Sequence, residues 1–342
     1  MIFLNLKKII LAGSRTTLKE LSSILGVSIS TISKALNDSH EISESTKKRI
    51  VETAKLYNYR PNKIALGLKS GKTNTIAVII PSVQNSFFAR ALYGIESVIS
   101  KTNYSTIICL TKESYTKEVD NFDMLSNGVV DGFIVAVSEE TQTLNNYSHF
   151  GDAINDGKSI VMFDRVIDSI PCVKVKTNDY SAISEATQKL IQSRRKNIVL
   201  LSAINNLNVG KQRTKGYLKA MNQAGLSSTV LESNLNNIEK KLKDYVCNNQ
   251  TDAIIALDTD ASFAAYKVAR ELKKDIPEDI AVVGYVSERM APYLAPELTT
   301  INQHSFTMGK TAANLLIEQL ENKGNTNQTI VINSTLSQRS SS

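Results

Sequence analysis

Residues 17–37 read TLKELSSILGVSISTISKALN, and their spacing decides what the front of this chain is. Leu18, Leu21, Ile24 and Leu25 recur on one side of a helix that halts at Gly26. The pattern restarts at Ser28 with Ile29, Ile32, Ala35 and Leu36. Two short helices joined by a tight turn are expected: Gly26 accepts the positive φ of such a turn, Val27 plugs the angle, and Ser28 is a good N-cap. This is helix-turn-helix spacing. The second helix would present its N-terminal residues to base edges in a major groove, its polar face carrying Ser28, Ser30, Thr31, Ser33, Lys34 and Asn37.

Working outward, residues 42–59 (ISESTKKRIVETAKLYNY) predict a third helix with Ser43 as N-cap and Ile42, Ile50, Ala54 and Tyr57 packed inward. Tyr59-Arg60-Pro61-Asn62-Lys63-Ile64-Ala65-Leu66-Gly67-Leu68-Lys69-Ser70-Gly71 follows, with proline at a helix start and glycine after its end. Two turns are below the roughly 12 to 15 residues at which isolated helices become marginal, and Gly67 costs a further ~0.5 to 1 kcal/mol. That helix should not be stable alone. Charge points the same way: residues 1–72 hold 13 Lys+Arg against 5 Asp+Glu, whereas residues 73–342 hold 27 against 28. A basic head on a neutral body suits a polyanion partner.

The chain of 342 residues, 42% hydrophobic and 21% charged, is too long for one core. No apolar run reaches the ~18 residues of a membrane span, and Lys7 and Lys8 interrupt the opening stretch where a signal peptide would stay apolar. A cytoplasmic location is expected, and Cys109, Cys172 and Cys247, with no CxxC, fit a reducing compartment. His40, His149 and His304 stand in no metal-ligand spacing, and GxSxG, Walker A and GxGxxG are missing, so no enzyme, metal or cofactor is expected.

After residue 74 the text alternates β-branched runs with amphipathic stretches. Strands are predicted at 76–80, 106–110, 132–137, 159–163, 197–202, 253–257 and 280–283, which implies parallel sheets covered by helices, either one large sheet or two smaller ones. Ligands of open α/β sheets lie beyond the carboxyl ends of strands. Those places hold Asn85, Phe87 and Phe88; Asp164 and Arg165; Asp258, Thr259 and Asp260; and Val286. Aromatic faces with carboxylates and a guanidinium suit a polyhydroxylated ligand.

Leu18-Lys19-Glu20, Gly26-Val27-Ser28, Thr31-Ile32-Ser33, Leu36-Asn37, Thr46, Tyr59-Arg60-Pro61-Asn62, Ala65 and Leu68 together resemble the DNA-binding head and hinge helix of the LacI/GalR family of transcription regulators. The resemblance runs on to Arg339, and several stretches of the body look most like family members from Bacteroidota. It implies an all-α helix-turn-helix head and a two-lobed α/β effector domain like periplasmic binding proteins. The expected division is an N-terminal extension (1–15), the helix-turn-helix domain (16–60), hinge helix and linker (61–74) and the effector and dimerisation domain (75–342). Within the last, lobe one would take 75–176 and 304–327, and lobe two 177–303 and 328–342.

Residue by residue, the resemblance implies that Ile29, Ser30 and Lys34 read the major groove, Lys34 on guanine, while Ser28, Thr31, Ser33, Asn37 and Thr46 hold phosphates. Leu68, supported by Ala65 and Asn62, would wedge into the minor groove beside its twin from a second subunit. Asn85, Phe87, Phe88, Asp164, Arg165, Arg213 and Gln303 match positions where sugar-binding relatives hold their ligand. Two departures stand out: Asp258-Thr259 replaces the usual Asn-Asp, and Val286-Ser287 falls where an Asp is frequent. A modified, less hydroxylated, acidic or phosphorylated sugar is therefore open as effector. The expected function is a dimeric repressor of carbohydrate-utilisation genes on palindromic operator DNA, with no membrane partner; a cytoplasmic carbohydrate sensor or a transcriptional activator is the alternative.

Overall fold

The computed structural model of the chain describes residues 16–59, 72–322 and 327–342. The expected extension over 1–15 and the hinge residues Asn62, Ala65 and Leu68 lie outside the described residues. The chain divides into two units between Thr73 and Asn74.

In the first unit, α1 (Leu18–Leu25) opens on Thr17, whose hydroxyl accepts from the Glu20 amide while the Glu20 carboxylate accepts from the Thr17 amide; the helix closes on Gly26 at φ 68°. α2 (Ile29–Leu36) starts on Ser28, whose Oγ accepts from the Thr31 amide at 3.1 Å, and α3 (Glu44–Leu56) starts on Ser43 in the same way. Leu21, Ile32 and Ile50 are sealed between the three helices, with Val27, Ile42 and Tyr57 packed around them. Arg49 Nη2 donates to the Leu25 carbonyl at 2.6 Å, so the third helix closes the end of the first. The caps at Ser28 and Ser43, the turn at Gly26 and the inward Ile42, Ile50, Ala54 and Tyr57 are as the spacing predicts.

The second unit is built from βα repeats. The first run is β1 (Thr75–Ile80), α4 (Ser86–Ile99), β2 (Ser105–Leu110), α5 (Tyr115–Ser126), β3 (Gly132–Val135), α6 (Glu139–Leu144), α7 (Ser148–Asn155), β4 (Ser159–Phe163) and β5 (Val173–Thr177). The second run is α8 (Asp179–Gln192), β6 (Ile198–Ser202), α9 (Asn208–Gln223), β7 (Thr229–Glu232), α10 (Ile238–Asn248), β8 (Ala253–Ala256), α11 (Thr259–Glu271), β9 (Ala281–Gly284) and β10 (Thr299–Asn302). α12 (Ser305–Asn322), β11 (Thr329–Ile332) and β12 (Thr335–Ser337) complete it. Two six-stranded sheets result, in the orders β11-β5-β4-β3-β1-β2 and β12-β10-β9-β8-β6-β7, parallel throughout except that β12 runs antiparallel to β10. The choice between one sheet and two falls to two lobes.

The chain passes from lobe one to lobe two after β5 and back after β10, close to Lys176 and Gln303. The third passage is not near Gln328: β11 pairs in parallel with β5, Ile330 opposite Val175, so the crossing falls at residues 333–334. The open edge of β5 decides this, since its amides and carbonyls need a partner strand. The three crossings are tied together: Asn178 Oδ1 accepts from the Ser334 amide at 2.7 Å, and Thr335 Oγ1 meets His304 Nε2 at 3.0 Å. α12 returns to pack on α4 at glycines, where a Cβ on Gly309 would stand 1.9 Å from the Ala91 carbonyl oxygen and one on Gly94 2.1 Å from that of Phe306.

Candidate functional site

Two surfaces carry the chemistry. On the head, α2 leaves Ile29, Ser30, Lys34 and Asn37 exposed, with Thr31 and Ser33 half-buried beside them. Ile29, 46% exposed, is an apolar side chain with no core to fill. At the N-terminus of this helix the hydroxyls of Ser28, Ser30 and Thr31 lie 2.7 and 2.8 Å apart, and Ser43 and Thr46 repeat the arrangement at the start of α3. Free amides, the positive helix end and a fringe of hydroxyls favour phosphate. The head's cations are partly spoken for: Lys34 is ion-paired with Glu41, and Lys47 with Asp38 and Glu44. Residues 16–59 hold six basic and five acidic side chains, so the positive excess of the front segment comes mainly from outside the described head.

The second surface is the cleft between the lobes. Asn85 caps α4, its Oδ1 accepting from the Phe87 amide at 2.9 Å, and so aims Phe87 at the opening. Phe87, Arg90, Thr259, Tyr285, Val286 and Gln303 line a cavity of about 200 Å³. A second cavity of about 460 Å³ includes Asp164, Asp179, Tyr147 and Asn208 in its wall. Phe88 lines neither: at 2% exposure it packs edge-on against Phe163 in the lobe-one core. Arg165 is folded back, donating to both Glu113 oxygens at 2.6 and 2.8 Å with its guanidinium 5.3 Å from the Phe88 ring centre.

Arg213 is boxed in as well. Its Nε donates to Asp179 Oδ1 at 2.7 Å, its Nη1 to the Leu257 carbonyl at 2.6 Å, and Tyr285 covers its face at 4.0 Å. Burial works against that charge, but Asp179, with Tyr285 and Asp164, outweighs it and holds the guanidinium firmly protonated. Asp258 gives both carboxylate oxygens to backbone, Oδ1 to the Ala261 amide capping α11 and Oδ2 to the Ala203 amide, leaving it a structural cap. Val286 is 8% exposed and shared between the lobe-two core and the cavity wall. Asp164 differs from the rest: it sits after β4 at φ 58°, is 6% exposed, and its Oδ1 has no hydrogen-bond partner among the described residues. Burial, reinforced by Asp179, pushes its carboxyl up to about 6.

Asn208 bridges the lobes beside this group, its amide donating to Gln142 Oε1 and its Nδ2 to the Val166 carbonyl, both at 2.9 Å. Glu113 and Asp179, the partners of the two arginines, are not among the residues that the sequence pattern singles out, nor are Tyr285 and Asn208. Glu113 follows β2, and the strand-end rule could have found it; Asp179 follows β5, a strand that was not predicted.

No helix among the described residues is long and apolar enough to cross a membrane. Residues 17–62 match the family model described as bacterial regulatory proteins, lacI family, and residues 187–342 match that of a periplasmic binding protein-like domain. The transcriptional repressor PurR of Vibrio cholerae serotype O1 is 30% identical over 323 residues, covering 90% of this chain and 92% of that one. The ribose operon repressor of Bacillus subtilis is 28% identical over 305 residues, covering 88% and 90%. Among solved structures, the lac repressor dimer bound to operator and the anti-inducer ONPF superposes with a TM-score of 0.83 at 17% identity over 96% of this chain and 99% of that one, a likeness of fold.

Proposed function

The chain belongs to the LacI family of bacterial regulatory proteins, DNA-binding repressors governed by small molecules, and from that premise we propose that it represses carbohydrate-utilisation genes. A dimer on a palindromic operator would place two heads in successive major grooves. The observation that carries this reading is the pairing, in one chain, of a capped helix-turn-helix with a polar reading face and a two-lobed cleft lined by aromatic and polar groups.

In the head, Ile29, Ser30 and Lys34 would meet base edges, and Ser28, Thr31, Ser33, Asn37 and Thr46 would hold phosphates. Asn62, Ala65 and Leu68 are assigned by the family resemblance to the operator centre. In the cleft, Phe87, Asp164 and Gln303 would meet the effector, with Asn85, Phe88, Arg165 and Arg213 holding its walls. Closure of the lobes around a ligand would then bias the hinge segments of a dimer.

The experiment is a fluorescence anisotropy titration of the full chain against DNA flanking its own gene, at fixed salt, with and without a panel of sugars. Saturable binding to a palindrome, altered by one compound, is the expected result; weak, salt-sensitive, sequence-indifferent binding with every compound would sink the reading. Leu68→Ala should weaken specific binding far more than non-specific binding, and equal loss of both would remove Leu68 from the operator centre.

A further inference from the structure

The charges around the larger cavity do not balance. Asp164, Asp168 and Asp179 all stand in its wall, with Lys176 as the single basic side chain there among the described residues. Asp179 is spent on Arg213, and Asp168 faces Lys176 at 3.8 Å. Arg165, next to Asp164 in the chain, is spent on Glu113. Asp164 is thus left as a buried carboxylate with Oδ1 unpartnered, at the wall of a cavity large enough for a ligand. Leaving such a group unpaired is costly, and a donor arriving in the cavity removes the cost. Tyr147 adds a ring to the same wall; Tyr180 is already beneath the Lys219 ammonium at 5.4 Å.

We propose that this cleft selects a monosaccharide-sized polyol carrying a protonated amine, with the ammonium on Asp164, and rejects phosphorylated and carboxylated sugars. The inference rests on the effector reading given above and narrows it. An ammonium supplies the charge that Asp164 lacks, forms a charge-assisted hydrogen bond with its carboxylate and can lie against the Tyr147 ring. A phosphate would add negative charge to an unbalanced carboxylate, and neither arginine is free to compensate without releasing its own acid. The groups bearing on Asp164 are Asp179, Arg213, Arg165 and Glu113, and the elevated position of its carboxyl shows that the two guanidinium groups do not offset burial and the neighbouring acids.

The test is calorimetric titration of the full chain at pH 7 with glucosamine, galactosamine and mannosamine, their neutral parent hexoses, and the corresponding hexose 6-phosphates. At least one amine should bind about tenfold or more tighter than its parent, and no phosphate should bind. Asp164→Asn should weaken the amine far more than its parent and bring the two to comparable affinity, with a melting curve confirming the fold. Equal or tighter binding of every parent, binding of a phosphate, a preference that survives Asp164→Asn, or no amine binding at millimolar concentration each overturns the inference. If every neutral parent binds at least as tightly as its amine, or a phosphorylated sugar binds, and operator affinity shifts with it, the amine inference falls and the effector reading stands; if nothing in any class binds or shifts it, both fall.

Discussion

Lys34, proposed above to read a base, is held in an ion pair within its own domain. Its ammonium is held by Glu41, yet both side chains are about half exposed, so the pair is weak enough to exchange for a base. Lys34→Ala should cost specific operator binding about 1–3 kcal/mol, roughly 5- to 150-fold, and relax preference at one base pair, whereas Glu41→Gln should tighten binding by freeing the lysine. Anisotropy titrations on operators varied one pair at a time separate these, and unchanged base preference in the alanine variant would take Lys34 off the reading list. Asp164 makes a second claim at this scale. Its carboxyl sits at about 6 against an ordinary 3.8, so the folded state binds the proton more tightly than the unfolded chain does. The stability this supplies is fully present below about pH 4 and is lost as pH rises through 6, on the order of 3 kcal/mol by neutrality. Asp164→Asn should therefore raise the melting temperature at pH 7 and leave it nearly unmoved at pH 4. Equal shifts at the two pH values would mean that Asp179, Arg213, Arg165 and Glu113 already balance the charge.

Among elements, legibility followed burial. β1 and β8, TIAVII and AIIA, are covered on both faces and read directly as apolar runs. β5 does not: its text is VKVKT, and Lys174 is nonetheless buried, its Nζ satisfied by the carbonyls of Ile170 and Cys172 at 2.6 and 3.3 Å. A lysine that caps a neighbouring turn looks, in sequence, like one that faces water. With β5 unread, Asp179 also goes unnoticed, so the family resemblance offers Arg213 as a ligand contact without the acid that occupies it. The helices of the head were legible because their caps are local, each hydroxyl reaching an amide three residues on. Ser28→Ala should accordingly lower head stability by about 1 kcal/mol, read by helical melting. The α4–α12 contact depends on the other extreme, side chains that are missing. Gly309→Ala would drive a methyl into the Ala91 carbonyl and should destabilise the body by on the order of 3 kcal/mol, while leaving the head's melting unchanged. A neutral result in calorimetry would show that the two helices can part at little expense.

The molecule as a whole is uneven in what holds it. Six buried hydrophobic residues make the core of the head, whereas four larger clusters hold the body. Small cores are marginal, so two thermal transitions are expected, with the lower one belonging to the head and raised by operator DNA. A single transition unaffected by operator would contradict that division. The body, by contrast, is braided: β11 closes the free edge of β5 in one sheet and β12 the free edge of β10 in the other. During synthesis, neither sheet can acquire its final strand until residues 329–337 have left the ribosome, whereas the head's three helices, packed on one another, precede them in the chain. A nascent chain can thus own a finished DNA-reading surface before it owns a finished sensor, and for that interval its grip on DNA would answer to no ligand.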